Sequence, residues 1–150
     1  MVCLGNICRS PMAEGILRHK LSNANIDVEI DSAGTGNYHI GEHPDHRAVK
    51  CLKQKGIDIS SLRARQFIYQ DFVQFDIIYA MDASNYNNIV ALAKSEVEKH
   101  KVKLYLNEAW PGQNRAVPDP WFGDADGFEE VFEMLEVASE ACAARLVSAN

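Results

Sequence analysis

Cys3 and Arg9 bracket five residues in the run Cys3-Leu4-Gly5-Asn6-Ile7-Cys8-Arg9-Ser10-Pro11. A C-x5-R loop wrapped in front of a helix N-terminus turns successive backbone N–H groups inward and forms an anion cradle. Arg9 adds a planar fork of donors that fits two oxygens of a phosphate at once. Cys3 then lies under the bound anion, in a field that favours the thiolate, the nucleophilic form of a cysteine. Gly5 allows a sharp turn, Asn6 tolerates a left-handed conformation, and Pro11 suits the first turn of a helix, where its missing N–H costs nothing. The plainer alternative is a small buried cysteine that only packs.

The following residues set the frame around this loop. Residues 10–24 read as a helix, with Met12, Ile16, Leu17 and Leu21 at helical spacing. Ile26–Ile30 alternates like a short strand, and Asp31–Gly36 forms a loop at its carboxyl end, the edge where open parallel sheets bind ligands. Residues 37–44 are irregular. A helix is expected over Asp45–Lys55 with Gly56 as its C-terminal cap, then a polar connection over 57–70 and a buried strand over Phe75–Met81. Asp82 reads as a helix N-cap. A helix over Ala83–Ala93, a short one reaching His100, a strand over Val102–Leu106 and a Pro- and Gly-bearing loop over 107–125 follow. The last helix, Gly127 to about Val147, takes Phe128, Val131, Phe132, Leu135, Val137, Ala138, Cys142 and Leu146 as its apolar set. Alternating strands and helices imply a parallel sheet covered on both faces. With only Met1 and Val2 before Cys3, either its first strand is a stub or the sequence begins part-way into it.

Composition narrows the partners. Across 150 residues, 15 Lys and Arg face 21 Asp and Glu, a net charge of −6. Such a chain is a poor candidate for nucleic acid or an anionic membrane, and a phosphate site on it must use local positive potential. No apolar run approaches the ~18 residues of a membrane span, and nothing at the N-terminus reads as a signal peptide. Cys3, Cys8, Cys51 and Cys142 form no C-x2-C pairs, so no metal is expected, and a reducing cytoplasm is the default.

A thiolate attacking a phosphate ester needs an acid for the departing oxygen. Asp119, in Val117-Pro118-Asp119-Pro120-Trp121-Phe122-Gly123, is the candidate. Prolines stiffen both sides of it, and partial burial against Trp121 and Phe122 would favour a protonated carboxyl. Otherwise Asp119-Pro120 is an ordinary turn.

The string VCLGNICRSP at residues 2–11 and the segment from Asp119 to Gly123 resemble the phosphate-binding loop and acid loop of the low-molecular-weight protein tyrosine phosphatases. Asp31-Ser32-Ala33-Gly34-Thr35, Pro44-Asp45-x-Arg47, Ala64-Arg65-Gln66, Asp71-Phe72-x-x-Phe75-Asp76 and Met81-Asp82-x-Ser84-Asn85 resemble further blocks of that family. The resemblance implies a single phosphatase domain over residues 1–150. Its fold would be three-layer α/β/α, flavodoxin- or Rossmann-like, with a four-stranded parallel sheet in the order 2-1-3-4. It implies Cys3 as nucleophile, with Arg9 and the amides of Leu4, Gly5, Asn6, Ile7 and Cys8 on the phosphate, and Asp119 as acid. Ser10 and Ser32 would hold Asn6, and Ser10 would donate to the Cys3 sulfur; Ser10 also reads as a helix cap. Tyr38, Trp121 and Phe122 would wall an aryl substrate, although Tyr38 also reads as an ordinary packed tyrosine. Where relatives often carry two tyrosines after Asp-Pro, Trp121 and Phe122 leave no hydroxyl to phosphorylate. Leu62 stands where the family has a supporting histidine. His39 reads as solvent-exposed. Cys8 would form a reversible disulfide with Cys3, or else be a buried thiol under the loop.

The expected activity is hydrolysis of phosphotyrosine in proteins, or of small aryl phosphates, through a phosphocysteine. It releases phosphate, requires no cofactor, and takes place in the cytoplasm on a monomer or weak dimer. Three alternatives stand beside it. A protein-arginine phosphatase typically has threonine where Ile7 stands. An arsenate reductase needs a further cysteine pair, and residues 72–100 contain no Cys. A phosphate- or phosphopeptide-binding module would not turn over.

Overall fold

The structure, a computed structural model, describes residues Met1–Asn150. Four short parallel strands, β1 (Val2–Cys3), β2 (Ala33–Gly34), β3 (Ile78–Ala80) and β4 (Val102–Leu104), form one sheet in the order β2-β1-β3-β4. The helices are α1 (Arg9–Ser22), α2 (His46–Lys53), α3 (Gln70–Gln74), α4 (Ala83–Val90), α5 (Glu96–Lys101) and α6 (Ala125–Ser148). No helix is long and apolar enough to cross a membrane.

The period-two alternation of strands divides the core. Cys3, Tyr79 and Met81 face a cluster built with Met12, Ile16, Leu52, Phe128, Val131 and Leu135 from α1, α2 and α6. Val2, Ile78 and Ala80 face a smaller cluster with Phe67, Phe72, Ile89 and Val102. Helices therefore cover both faces, and the carboxyl ends of β1 and β3 open onto one rim. The first two turns of α1 are buried all round, from Arg9 to Leu17.

Three elements differ from the sequence expectation. Ile26–Ile30 is not a strand; β2 lies further on, at Ala33–Gly34. The parallel register pairs Val2 with Ala33 and Cys3 with Gly34, which sets the ladder after residues 26–30 rather than on them. The segment leading into β3 holds the helix α3, and the ladder starts only at Ile78. Asp71 accepts the Ile68 N–H at 2.9 Å and pairs with Arg65, while Lys101 Nζ donates to the carbonyls of Phe72 and Phe75 at the helix end. After Leu104 the chain closes into a 3-10 turn over Tyr105–Glu108. Tyr105 is fully buried with its hydroxyl on Ser139 of α6, a position a continued strand could not reach. Within α6, Val137 is exposed rather than part of the apolar face. Gly56 does end α2's region with a positive φ of 78°.

Candidate active site

The loop between β1 and α1 curls around the Cys3 sulfur. Asn6, at φ 57°, sits in the left-handed region and turns its backbone N–H onto Cys3 Sγ at 3.3 Å. Ser10 Oγ lies 3.1 Å from the same sulfur. The Asn6 side chain points away from the cleft, where Nδ2 donates to Ser10 Oγ at 2.8 Å and Ser32 Oγ at 3.0 Å, and Oδ1 accepts the Arg65 N–H at 3.0 Å. Both amide donors and the carbonyl are thereby satisfied. Leu62 takes no part in this network and packs against the core; the Arg65 backbone N–H closes it.

Gly34 of β2 lets the loop come this close. A Cβ there would stand 2.7 Å from Leu4 O, 3.1 Å from Gly5 C and 3.2 Å from Asn6 N, all backbone atoms of the loop. Gly34→Ala should therefore displace the loop. We expect kcat/KM on 4-nitrophenyl phosphate to fall by about tenfold to a hundredfold, the cost of an ångström-scale misplacement of reacting groups.

Arg9 is 3% exposed. Its Nη1 donates to Asp82 Oδ2 at 2.6 Å and to Val117 O at 3.1 Å, and Nη2 lies 3.7 Å from Asp119 Oδ2. The segment bearing Asp119 is tied to the sheet because Val117 N donates to Met81 O at 2.8 Å, just past β3. Asp119 Oδ1 accepts the Trp121 N–H at 3.0 Å. The carboxyl is 38% exposed and Phe122 is 92% exposed, so the aromatic pair does not enclose it. In place of the expected partial burial of Asp119 against Trp121 and Phe122, the structure shows a half-exposed carboxyl facing Arg9.

These groups share one cleft of ≈ 280 Å³. Cys3, Leu4, Gly5, Ile7, Cys8 and Arg9 form its floor, with Asp119, Tyr38, His39, Trp121 and Phe122 around it. Asn6 supports the floor from behind and does not line it. Tyr38 is 70% exposed, a rim residue rather than a packed one. Cys8 is buried, and burial, with the nearby charges of Asp45 and Cys3, pushes its thiol far above the ordinary cysteine range. All four cysteines are free thiols.

Two contributors escape a reading of the sequence. His39 is not simply solvent-exposed. Its ring stands 5.6 Å from Trp121, pairs with Glu42, and lies where a Cβ on Gly5 would meet it at 3.0 Å. No periodic pattern marks such a residue. Asp82 does cap α4, accepting the Asn85 N–H at 2.8 Å, but its second oxygen holds Arg9. The available signal was its place at the carboxyl end of the clearest strand.

The family model for low molecular weight phosphotyrosine protein phosphatases matches residues 1–149 of the chain. The chain belongs to that family. Among low molecular weight phosphotyrosine protein phosphatases, it is 44% identical to that of Schizosaccharomyces pombe, with 89% of this chain and 86% of that protein covered. It is 42% identical to that of Saccharomyces cerevisiae, with 93% and 88% covered. Its fold superposes with a TM-score of 0.91 on a crystal structure of a protein tyrosine phosphatase from Entamoeba histolytica with Hepes in the active site, at 36% identity over 99% of this chain and 95% of that one. As in the sequence expectation, this low molecular weight phosphatase carries the sheet order 2-1-3-4.

Proposed function

We propose that the protein hydrolyses phosphotyrosine in proteins and small aryl phosphates through a phosphocysteine, in the cytoplasm and as a monomer or weak dimer. The observation that carries this reading is the meeting of Cys3, Arg9 and Asp119 in one aromatic-walled cleft, with Arg9 Nη2 3.7 Å from the Asp119 carboxyl. The Cys3 thiolate attacks phosphorus and the P–O bond to the phenol breaks. Arg9 and the loop amides hold the equatorial oxygens, and Asp119 gives its proton to the leaving oxygen. In the second step Asp119 takes a proton from water as that water attacks phosphorus and the P–S bond breaks. Ser10 donates to the departing sulfur, and inorganic phosphate leaves. Every step uses side chains of this chain. Rapid mixing with 4-nitrophenyl phosphate tests the reading. A burst of nitrophenol close to one equivalent, followed by slower release, is expected; binding without nitrophenol would leave only a phosphate-binding module.

Cys8 serves as the guard of Cys3. Peroxide oxidises the Cys3 thiolate to the sulfenic acid, releasing hydroxide; the Cys8 sulfur, giving up its proton to the sulfenic hydroxyl as that group departs as water, then attacks the Cys3 sulfur and forms the disulfide. The raised, protonated state of Cys8 supports oxidation beginning at Cys3. Cys8→Ser should lose activity to hydrogen peroxide like the parent but fail to recover with dithiothreitol. Full recovery would remove Cys8 from this role.

A further inference from the structure

Beyond the Arg9–Asp119 contact and the packing of Trp121 against His39, the Asp119 segment is tethered at one point. Between Val117 and the α6 N-cap Asp124, the only hydrogen bonds that join residues 118–123 to the rest of the protein come from Arg47 of α2. Arg47 Nη1 donates to Gly123 O at 3.0 Å and Nη2 donates to Trp121 O at 3.1 Å. The Trp121 N–H is the group that Asp119 Oδ1 accepts, so Arg47 grips the peptide next to the one that orients the carboxyl.

Arg47 is itself held rigidly. Asp45 Oδ1 accepts the Arg47 N–H at 2.8 Å and its Nε at 3.0 Å, and Oδ2 accepts Nη2 at 3.0 Å. The guanidinium lies over the Phe128 ring, 4.7 Å from its centroid. Burial pushes the Asp45 carboxyl up, but the Arg47 guanidinium and N–H outweigh it and hold Asp45 below the usual carboxylate range. The base of this strut rests on the phosphate loop, because Asp45 N donates to Ile7 O at 2.8 Å. A continuous chain of contacts thus runs from Ile7 through Asp45 and Arg47 to Trp121 and Gly123.

We propose that Arg47, clamped by Asp45, is a positioning residue that sets the Asp119 carboxyl against the phosphate loop. This rests on Asp119 being the acid. Only a planar fork can bond Asp45 and two separate carbonyls at once; a lysine ammonium, as a single point donor, cannot reproduce it. Loss of the strut leaves the nucleophile and Arg9 in place and misplaces the proton donor alone. The rate then suffers in proportion to how much the leaving group needs that proton.

The test is kcat/KM on 2,4-dinitrophenyl, 4-nitrophenyl and phenyl phosphate, in order of increasingly basic leaving groups, for the parent, Asp119→Asn, Arg47→Lys, Arg47→Ala and Asp45→Asn, with melting temperatures for each. Arg47→Lys and Arg47→Ala should lose roughly tenfold to a hundredfold on phenyl phosphate and less than about threefold on the dinitrophenyl ester. Asp45→Asn should show the same slope in weaker form. A steep slope for Asp119→Asn with a flat one for the folded Arg47 and Asp45 variants would overturn the strut and leave the acid standing. A flat slope for Asp119→Asn would overturn both. Because Arg47→Lys keeps the charge and Asp45→Asn keeps Arg47, a failure of Arg47→Ala to fold leaves two variants that still decide.

Discussion

Cys3→Ser should eliminate turnover while leaving inorganic phosphate bound. A serine hydroxyl is far less acidic than a thiol, and the groups that face this position, the Asn6 N–H at 3.3 Å and Ser10 Oγ at 3.1 Å, do not suffice to ionise an alcohol. The second step suffers as well, since an alkoxide departs from phosphorus far less readily than a thiolate. Loss of a nucleophile in a preorganised site costs on the order of 10⁴ to 10⁶ in kcat. Arg9, which makes its bonds to Asp82 and Val117 and not to Cys3, keeps its place, as do the loop amides. Phosphate affinity measured by calorimetry should therefore change little. Turnover of Cys3→Ser within a factor of ten of the parent would rule out a phosphocysteine.

Asp119→Ala carries the second large effect. General acid catalysis supplies about 10² to 10⁴ in rate, and that loss should appear in full on phenyl phosphate or phosphotyrosine. On 2,4-dinitrophenyl phosphate, whose leaving group departs without a proton, it should nearly vanish. Removing the carboxylate 3.7 Å from Arg9 also relieves one of two negative neighbours of that guanidinium, so inhibition by phosphate should become tighter. A uniform loss across leaving groups would show Asp119 to be a support and not an acid.

The parts of this fold that sequence reasoning finds are those set by local chemistry. The loop from Cys3 to Ser10 declares itself because cradle, fork and sulfur must be contiguous. The first helix and the last follow from side-chain periodicity, and the buried strand at Ile78–Ala80 from its apolar run. What escapes is set by pairing across the chain. Whether Ile26–Ile30 or Ala33–Gly34 joins the ladder depends on where β1 stands, which no alternation within that segment records. Tyr105 leaves the sheet because a partner on α6 waits for its hydroxyl. Asp82 displays its capping role in its own neighbourhood, while its bond to Arg9 spans 73 positions. His39 enters the cleft only because Trp121 is folded against it.

The Asn6 network has no member that titrates in the neutral range. Its donors and acceptors are an amide, two hydroxyls and a backbone N–H, and Leu62 brings no imidazole to it. Between roughly pH 5 and pH 8 the hydrogen bonds that Asn6 makes should keep one pattern, so this foundation should add no step of its own to the acidity profile of the enzyme.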